Sequence, residues 1–222
     1  MPLISAVRAQ LPLADVLIID DASPDGTAEL VANMAATDPQ VISMRRAGKL
    51  GLGTAYTVGF RRALREGYDL VVGMDADFSH DPGCLPRLIE NAANYDVVIG
   101  SRYVPGGSTP DWRLFRRLIS RFGNWLARTT LRIPVQDCTS AFRCYRRTTL
   151  TALNLDAISV VGYGFMIETI RRLSDARFRI CEMPITFIDR RVGQSKLSGS
   201  IIFEAVKYIF RHRIVRPGAS DT

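Results

Sequence analysis

Apolar residues along this chain fall into short continuous runs that end on charge, separated by stretches in which they recur every three or four positions. Ala14-Asp-Val-Leu-Ile-Ile-Asp-Asp21 and Tyr68-Asp-Leu-Val-Val-Gly-Met-Asp-Ala-Asp77 are the clearest runs, and both close on carboxylates. Such a run is the pattern of a strand covered on both faces in a parallel sheet, with its polar chemistry gathered at the carboxyl edge. Val41 to Met44 reads as a further short strand, and Asp96-Val-Val-Ile-Gly-Ser-Arg102 as one that ends on a cation. Phe178 to Ile188 alternates as a strand does.

Between these runs the spacing is helical. Leu3, Ile4 and Val7 share a face in Pro2 to Gln10, and Leu30, Val31 and Met34 follow a turn built on Pro24 and Gly26. Tyr56, Phe60, Ala63 and Leu64 predict a third helix behind the glycines of Gly51-Leu-Gly53, which let a backbone approach closely at a helix N-terminus. A fourth carries Leu85, Leu88, Ile89 and Ala92, with Asp81 as its N-cap. Asp137 to Arg143 and Gly162 to Glu168 are predicted to open two more helices, and Gly199 to His212 closes the chain as another. Strands alternating with helices predict an α/β fold, a mostly parallel sheet with flanking helices.

The stretch from Trp112 to Leu131 differs in character. Leu114, Phe115, Leu118, Ile119, Phe122, Trp125 and Leu126 recur at helical spacing, with Arg113, Arg116, Arg117, Arg121 and Arg128 between them. A solvated charged face over a packed stripe gives this pattern, and so does a helix lying on a membrane surface.

At 222 residues and 47% hydrophobic the chain can build one sizeable core, and no linker divides it, so residues 1–212 read as a single domain with 213–222 as a disordered polar tail. Cys84, Cys138, Cys144 and Cys181 lie too far apart for a zinc site or a disulfide scaffold, the pattern of reduced thiols in a cytoplasmic protein. No apolar run approaches the roughly 18 to 20 residues that cross a bilayer. The net charge of +7 favours an anionic partner.

Asp75 and Asp77 lie at i, i+2 where a strand turns, so both can reach one hard divalent cation, Mg²⁺ or Mn²⁺, which keeps waters and binds substrate phosphates. An isolated Asp-x-Asp more often ends a strand and caps a turn. The companion edge at Asp20 and Asp21 raises the case for a shared ligand site, because parallel strands present their ends together. Arg102 beside a carboxylate crevice pairs either with those carboxylates or with a phosphate. His80 and His212 lack ligand spacing and read as incidental.

Ile18-Ile-Asp-Asp-Ala-Ser-Pro-Asp-Gly-Thr27, Gly51-Leu-Gly-Thr-Ala-Tyr56, Met74-Asp-Ala-Asp-Phe-Ser-His80, Gly100-Ser-Arg-Tyr103, Asp137-Cys-Thr-Ser-Ala-Phe-Arg143, Pro184-Ile-Thr-Phe187 and Asp189-Arg-Arg-Val-Gly-Gln-Ser-Lys196 occur in this order. Together they resemble the dolichyl- and polyprenyl-phosphate mannose synthases among the inverting family-2 glycosyltransferases. The resemblance implies a GT-A fold, with Asp75 and Asp77 holding the metal on the diphosphate of GDP-mannose, Asp77 central to catalysis, and Ser79 assisting. It implies Asp20 and Asp21 near the nucleoside, and Arg190 and Lys196 on a loop closing over the donor phosphates. Arg102, Arg116 and Ser120 match positions that hold the phosphate of a polyprenyl or dolichyl acceptor. It further implies a peripheral protein on the cytoplasmic membrane face, docked on lipid or on a membrane-anchoring subunit. Nucleic acid is not an expected partner, because no sheet carries interleaved aromatic stacking platforms. Members of this family begin with an apolar strand and a Pro-Thr-Tyr-Asn-Glu-like turn ahead of the first helix seen here. The resemblance therefore implies that the first strand is missing and that two neighbouring strands lack a partner.

Overall fold

The computed structural model describes residues 2–158, 160, 162, 164–189 and 206–212. The chain runs α1 (Pro2–Gln10), β1 (Val16–Asp20), α2 (Thr27–Thr37), β2 (Val41–Arg45), α3 (Leu52–Glu66) and β3 (Leu70–Gly73). It continues with α4 (Leu85–Asn91), β4 (Val97–Ser101), α5 (Leu114–Leu131), β5 (Arg143–Arg146), α6 (Arg147–Ala152), α7 (Gly164–Asp175) and β6 (Ile180–Pro184). Residues 206–212 are helical. Asp81, expected as the N-cap of α4, instead caps the short 3-10 turn Pro82–Cys84 ahead of it, its carboxylate accepting from the Gly83 amide. α4 itself follows Cys84 without a side-chain cap.

The architecture is α/β with flanking helices, and its parallel pairs are β1 with β2 and β4 with β6. The larger sheet has the order β3-β5-β4-β6, with β5 antiparallel to both β3 and β4, so it is mixed. This strand corrects the helix expected from Asp137 to Arg143. That segment is a loop that turns at Cys138 and Thr139, where the backbone amides of Thr139 and Ser140 donate to the Asp137 carboxylate, and it then enters β5. An Asp side chain that captures nearby amides competes with the helical ladder and favours a turn. The strand read from Phe178 to Ile188 is confined to Ile180–Pro184.

β1 and β3 do not pair, and the sheet falls into two pieces at this point. Two helices span the break on opposite sides. On α1, Leu3 and Val7 pack with Leu85, Leu88, Val98 and Phe142 of the larger sheet's layer, while Ile4 packs with Val31 and Val41 of the smaller. On α3, Tyr56, Gly59, Phe60 and Ala63 line a cleft of about 290 Å³, walled by Leu17 and Ile19 on one side and Leu70, Val71 and Val72 on the other. The Tyr68 hydroxyl donates to the Asp15 carboxylate, tying together the starts of β3 and β1. Both strands end near the start of α3, β3 with Gly73 against Tyr56 and β1 with Asp21 linked through Arg46 to Gly51 and Thr54, so the two strands point the same way. The expectation of two neighbouring strands without a partner between them matches this break.

Gly51, just ahead of α3, sits at φ +94°, a conformation that side chains disfavour. A Cβ on Gly53 would stand 2.7 Å from the Val160 carbonyl, so what approaches this helix start is the protein's own backbone. The glycine pattern expected to admit a ligand therefore serves, at Gly53, packing against the segment before α7.

Candidate active site

The ends of β3 and β4 carry the residues expected to do the chemistry, and they point the same way because both strands run antiparallel to β5. Beyond β3 the chain turns tightly. Asp77 accepts from the backbone N–H of Ser79 at 3.0 Å and from its hydroxyl at 2.6 Å, and Phe78 between them sits at φ +61°. Two donors thus fix one oxygen of Asp77 before any ligand arrives. The Asp75 amide donates to His80 Nδ1 at 3.0 Å, so the ring proton is on Nε2. His80 is buried, stacked on Phe142 with ring centroids 4.9 Å apart, and burial lowers its pKa, so it stays neutral at pH 7. The histidine read as incidental is therefore a brace for the acidic turn.

Asp75 and Asp77 fit a hard divalent cation of the kind that takes one or two protein carboxylates and completes its shell with water and substrate phosphate. Ser79 is the adjacent hydroxyl. Among the described residues no group of three or more His, Cys, Asp or Glu side chains is arranged to hold a metal unaided.

Arg102, just beyond β4, is held from all sides. Its Nε and Nη2 donate to the two oxygens of Asp137, each at 2.7 Å, its amide donates to the same carboxylate, and Nη2 also reaches the Thr139 hydroxyl. Burial opposes both charges, yet each partner's charge and the bonds between them prevail. Arg102 is raised and Asp137 is held below the usual carboxylate range. Gly107 backs this arrangement, since a Cβ there would lie 2.7 Å from the Arg102 carbonyl carbon and from Ser101 O. The Asp137 loop is itself anchored: Glu182 on β6 accepts the amides of Gln136 and Asp137, and Asn124 on α5 accepts that of Cys138.

Arg116 and Ser120 join Arg102 through aromatic rings. The Arg102 guanidinium carbon lies 5.2 Å from the Tyr103 ring and 5.4 Å from the Trp112 ring, and that of Arg116 lies 4.2 Å from Trp112. The Tyr103 and Ser120 hydroxyls are 2.6 Å apart. Arg116 also pairs with Asp189. The structure thus brings Asp75, Asp77, Arg102, Arg116 and Ser120 into one region.

Asp20 and Asp21 stand across the cleft at the end of β1. Asp20 is buried and accepts the Ser23 amide. Asp21 forms a bidentate pair with Arg46, both bonds at 2.5 Å, and Arg46 also reaches Thr54 and the Gly51 carbonyl. Asp21 therefore fixes the start of α3. Arg190, Lys196 and the tail 213–222 lie outside the described residues. The thiols offer no nucleophile here: burial pushes Cys138 and Cys144 up to about 12, far above pH 7.

The sequence reading missed Asp137, Arg46 and Trp112. Asp137 stood within a quoted motif without a role, and an acid in a Cys-Thr-Ser segment was the available signal. Its weight can be measured. Asp137→Ala is expected to lower stability by about 3 to 5 kcal/mol, the usual cost of stranding one member of a buried ion pair, read as the urea midpoint at pH 7. Asp137's pKa is lower folded than unfolded, so its contribution is complete above about pH 4 and is lost as pH falls through the folded value. The gap between wild type and variant should therefore narrow in acid. A gap that is constant with pH would remove the ion pair as its cause.

The family model described as "Glycosyl transferase family 2" matches residues 2–153. The chain is 47% identical over 205 residues to an undecaprenyl-phosphate mannosyltransferase of Micrococcus luteus, covering 92% of this chain and 84% of that one. It is 43% identical over 209 residues to a polyprenol monophosphomannose synthase of Mycolicibacterium smegmatis, covering 93% and 79%. In fold it is similar to glucosyl-3-phosphoglycerate synthase from Mycobacterium tuberculosis, solved with Mn²⁺, uridine diphosphate and phosphoglyceric acid, with a TM-score of 0.68 at 19% identity and coverage of 98% and 74%. With a family match over more than half its length and two relatives well above 30% identity, the chain belongs to glycosyl transferase family 2.

Proposed function

We propose that this chain transfers mannose from GDP-mannose to a polyprenyl phosphate with inversion, giving polyprenyl-phosphate mannose. The observation that carries the reading is the placing of Arg102 and Arg116 on one indole ring beside the acidic turn of Asp75 and Asp77. It agrees with the names of both curated relatives.

A phosphate monoester is largely dianionic at pH 7, since its second pKa is near 6, so the attacking oxygen needs orientation rather than a strong base. Arg102 and Arg116 supply that orientation, with the Ser120 hydroxyl beside them. Arg102 is rigid because Asp137 holds it, which aims its charge without reorganisation at the moment of reaction. Asp75 and Asp77, with Ser79, would hold Mg²⁺ or Mn²⁺. When bound, that ion neutralises charge on the departing diphosphate. Asp20 and Asp21 border the nucleoside side.

The acceptor's tail requires a lipid surface, and α5 offers one. Leu114, Phe115, Leu118, Phe122 and Trp125 are exposed, Phe115 to 74%, and Arg113 and Arg121 are exposed among them. Among the described residues no helix is long and apolar enough to cross a membrane. We propose that this face rests on the anionic cytoplasmic leaflet, where each buried Phe contributes about 1.5 to 3 kcal/mol. Phe115→Ser with Phe122→Ser is expected to cut co-sedimentation with anionic vesicles at least ten-fold. Equal sedimentation of variant and wild type would refute this docking face.

The reading as a whole is tested by incubating the purified chain with labelled GDP-mannose or labelled UDP-glucose and polyprenyl phosphate vesicles. Label should enter the lipid from GDP-mannose only, in a linkage cleaved by mild acid. Transfer from UDP-glucose alone would overturn the donor assignment.

A further inference from the structure

Trp112 stands just ahead of α5 and is 6% exposed. Its indole N–H is shut off from solvent with no hydrogen-bond partner, and the same is true of Arg116 Nε. A buried donor without an acceptor costs about 1 to 3 kcal/mol, so such groups call for a reason. Here two of them accompany guanidinium groups gathered on the same ring. Arg116 lies 4.2 Å and Arg102 5.4 Å from the Trp112 centroid, and Phe187 meets that ring edge-on at 5.5 Å. Like charges gathered over one indole, with spare donors beside them, form a site for an anion rich in acceptor oxygens. Arg102 already has Asp137, and Arg116 has Asp189 on its Nη1, which leaves Trp112 Nε1 and Arg116 Nε as buried donors without a partner at this ring, with Arg117 Nε on α5 a further one.

We infer that Trp112 is a binding residue for the acceptor phosphate, its N–H donating to one phosphate oxygen while its ring holds Arg102 and Arg116 at that same group. This rests on the phosphate-acceptor reading above and adds a third donor side chain to it. An indole donates but never accepts, so it favours a fully ionised oxyanion over the alcohol of the same chain. The role also explains why the ring is buried at a helix entrance while the neighbouring apolar residues of α5 face outward.

Trp112→Phe keeps a ring for both cations and removes only the N–H. It is expected to raise the acceptor KM about ten-fold, the worth of one hydrogen bond to a charged group, with the donor KM and the melting temperature near wild type. Trp112→Leu also removes the platform and should raise the acceptor KM further. A direct readout uses Trp125→Phe, which leaves Trp112 as the sole tryptophan of the two in the sequence. Its fluorescence should respond to a short, water-soluble prenyl phosphate and not to the matching prenol. A Trp112→Phe enzyme with wild-type acceptor KM, or a fluorescence response as large with the alcohol, would overturn the assignment. A lowered melting temperature with unchanged acceptor KM would do the same, since the ring would then be structural alone. If instead no mannosyl lipid forms while Trp112 still reports prenyl phosphate, the transfer reading falls and the phosphate site stands.

Discussion

Asp77→Ala is expected to lower mannosyl transfer by about 10³-fold or more, because a cation on the developing diphosphate charge is worth several kcal/mol of transition-state stabilisation. The side chain is only partly buried, so its removal leaves no core cavity and the fold should persist. Ser79 sharpens the forecast. It donates to Asp77 from both amide and hydroxyl, and Ser79→Ala removes only the second of these donors. A loss of about ten-fold is expected there, the scale of one charge-assisted hydrogen bond. His80→Asn tests the other half of the turn, since His80 accepts the amide of Asp75 and no other acidic position. The measurement is labelled lipid formed across a titration of Mg²⁺ and of Mn²⁺. Asp77→Ala activity within ten-fold of wild type at every metal concentration would sink the carboxylate assignment, whereas a loss at low metal that recovers at higher metal would place the effect in metal affinity.

The acidic turn was legible because it lies at the end of an uninterrupted apolar run, and the same holds for Asp20 at the end of β1 and Arg102 beyond β4. Periodicity also located α1 and α5, whose apolar faces repeat over enough residues to stand out. β5 did not stand out. Arg143–Arg146 is four residues long with Arg at both ends, and it becomes a strand only because its neighbours β3 and β4 supply a partner on each side. Arg143 is fully buried on the carbonyls of Cys138 and Met166, an arrangement composition argues against and tertiary packing permits. Pairing across distance was equally hidden. Arg102 and Asp137 are 35 residues apart, and nothing local marks that acid as the one that fixes the cation. His80 and Trp112 look like a turn residue and a helix entrance in sequence. His80 accepts the Asp75 amide and Trp112 gathers two guanidinium groups on its ring, contacts that only the folded chain defines.

The cleft between β1 and β3 supports the other large expected effect: an extended strand of five β-branched apolar residues, joined ahead of Pro2, should stabilise the chain by several kcal/mol. Among the described residues each wall of the cleft is a strand edge that no strand pairs on that side, and such an edge is a ready template for a further strand. Both helices that bridge the break present apolar side chains, α1 with Leu3 and Val7 and α3 with Tyr56 and Phe60, so an inserted strand would be apolar on both faces. Burying each such side chain contributes about 1.5 to 3 kcal/mol, against about 1 to 2 kcal/mol to order each residue's backbone, before any ladder bond is counted. Direction follows from connection. A strand feeding α1, which in turn leads to β1, makes a right-handed crossover only if it lies parallel to β1, which is also the direction of β3. Urea midpoints of the chain with and without the added strand measure the gain, and an equally long Lys- and Pro-rich extension serves as control. Hydrogen exchange gives the location: amides of β1 and β3 should slow together, since one strand would close both edges. Stabilisation by the control extension, or slowing on one edge only, would show that the cleft does not take a strand.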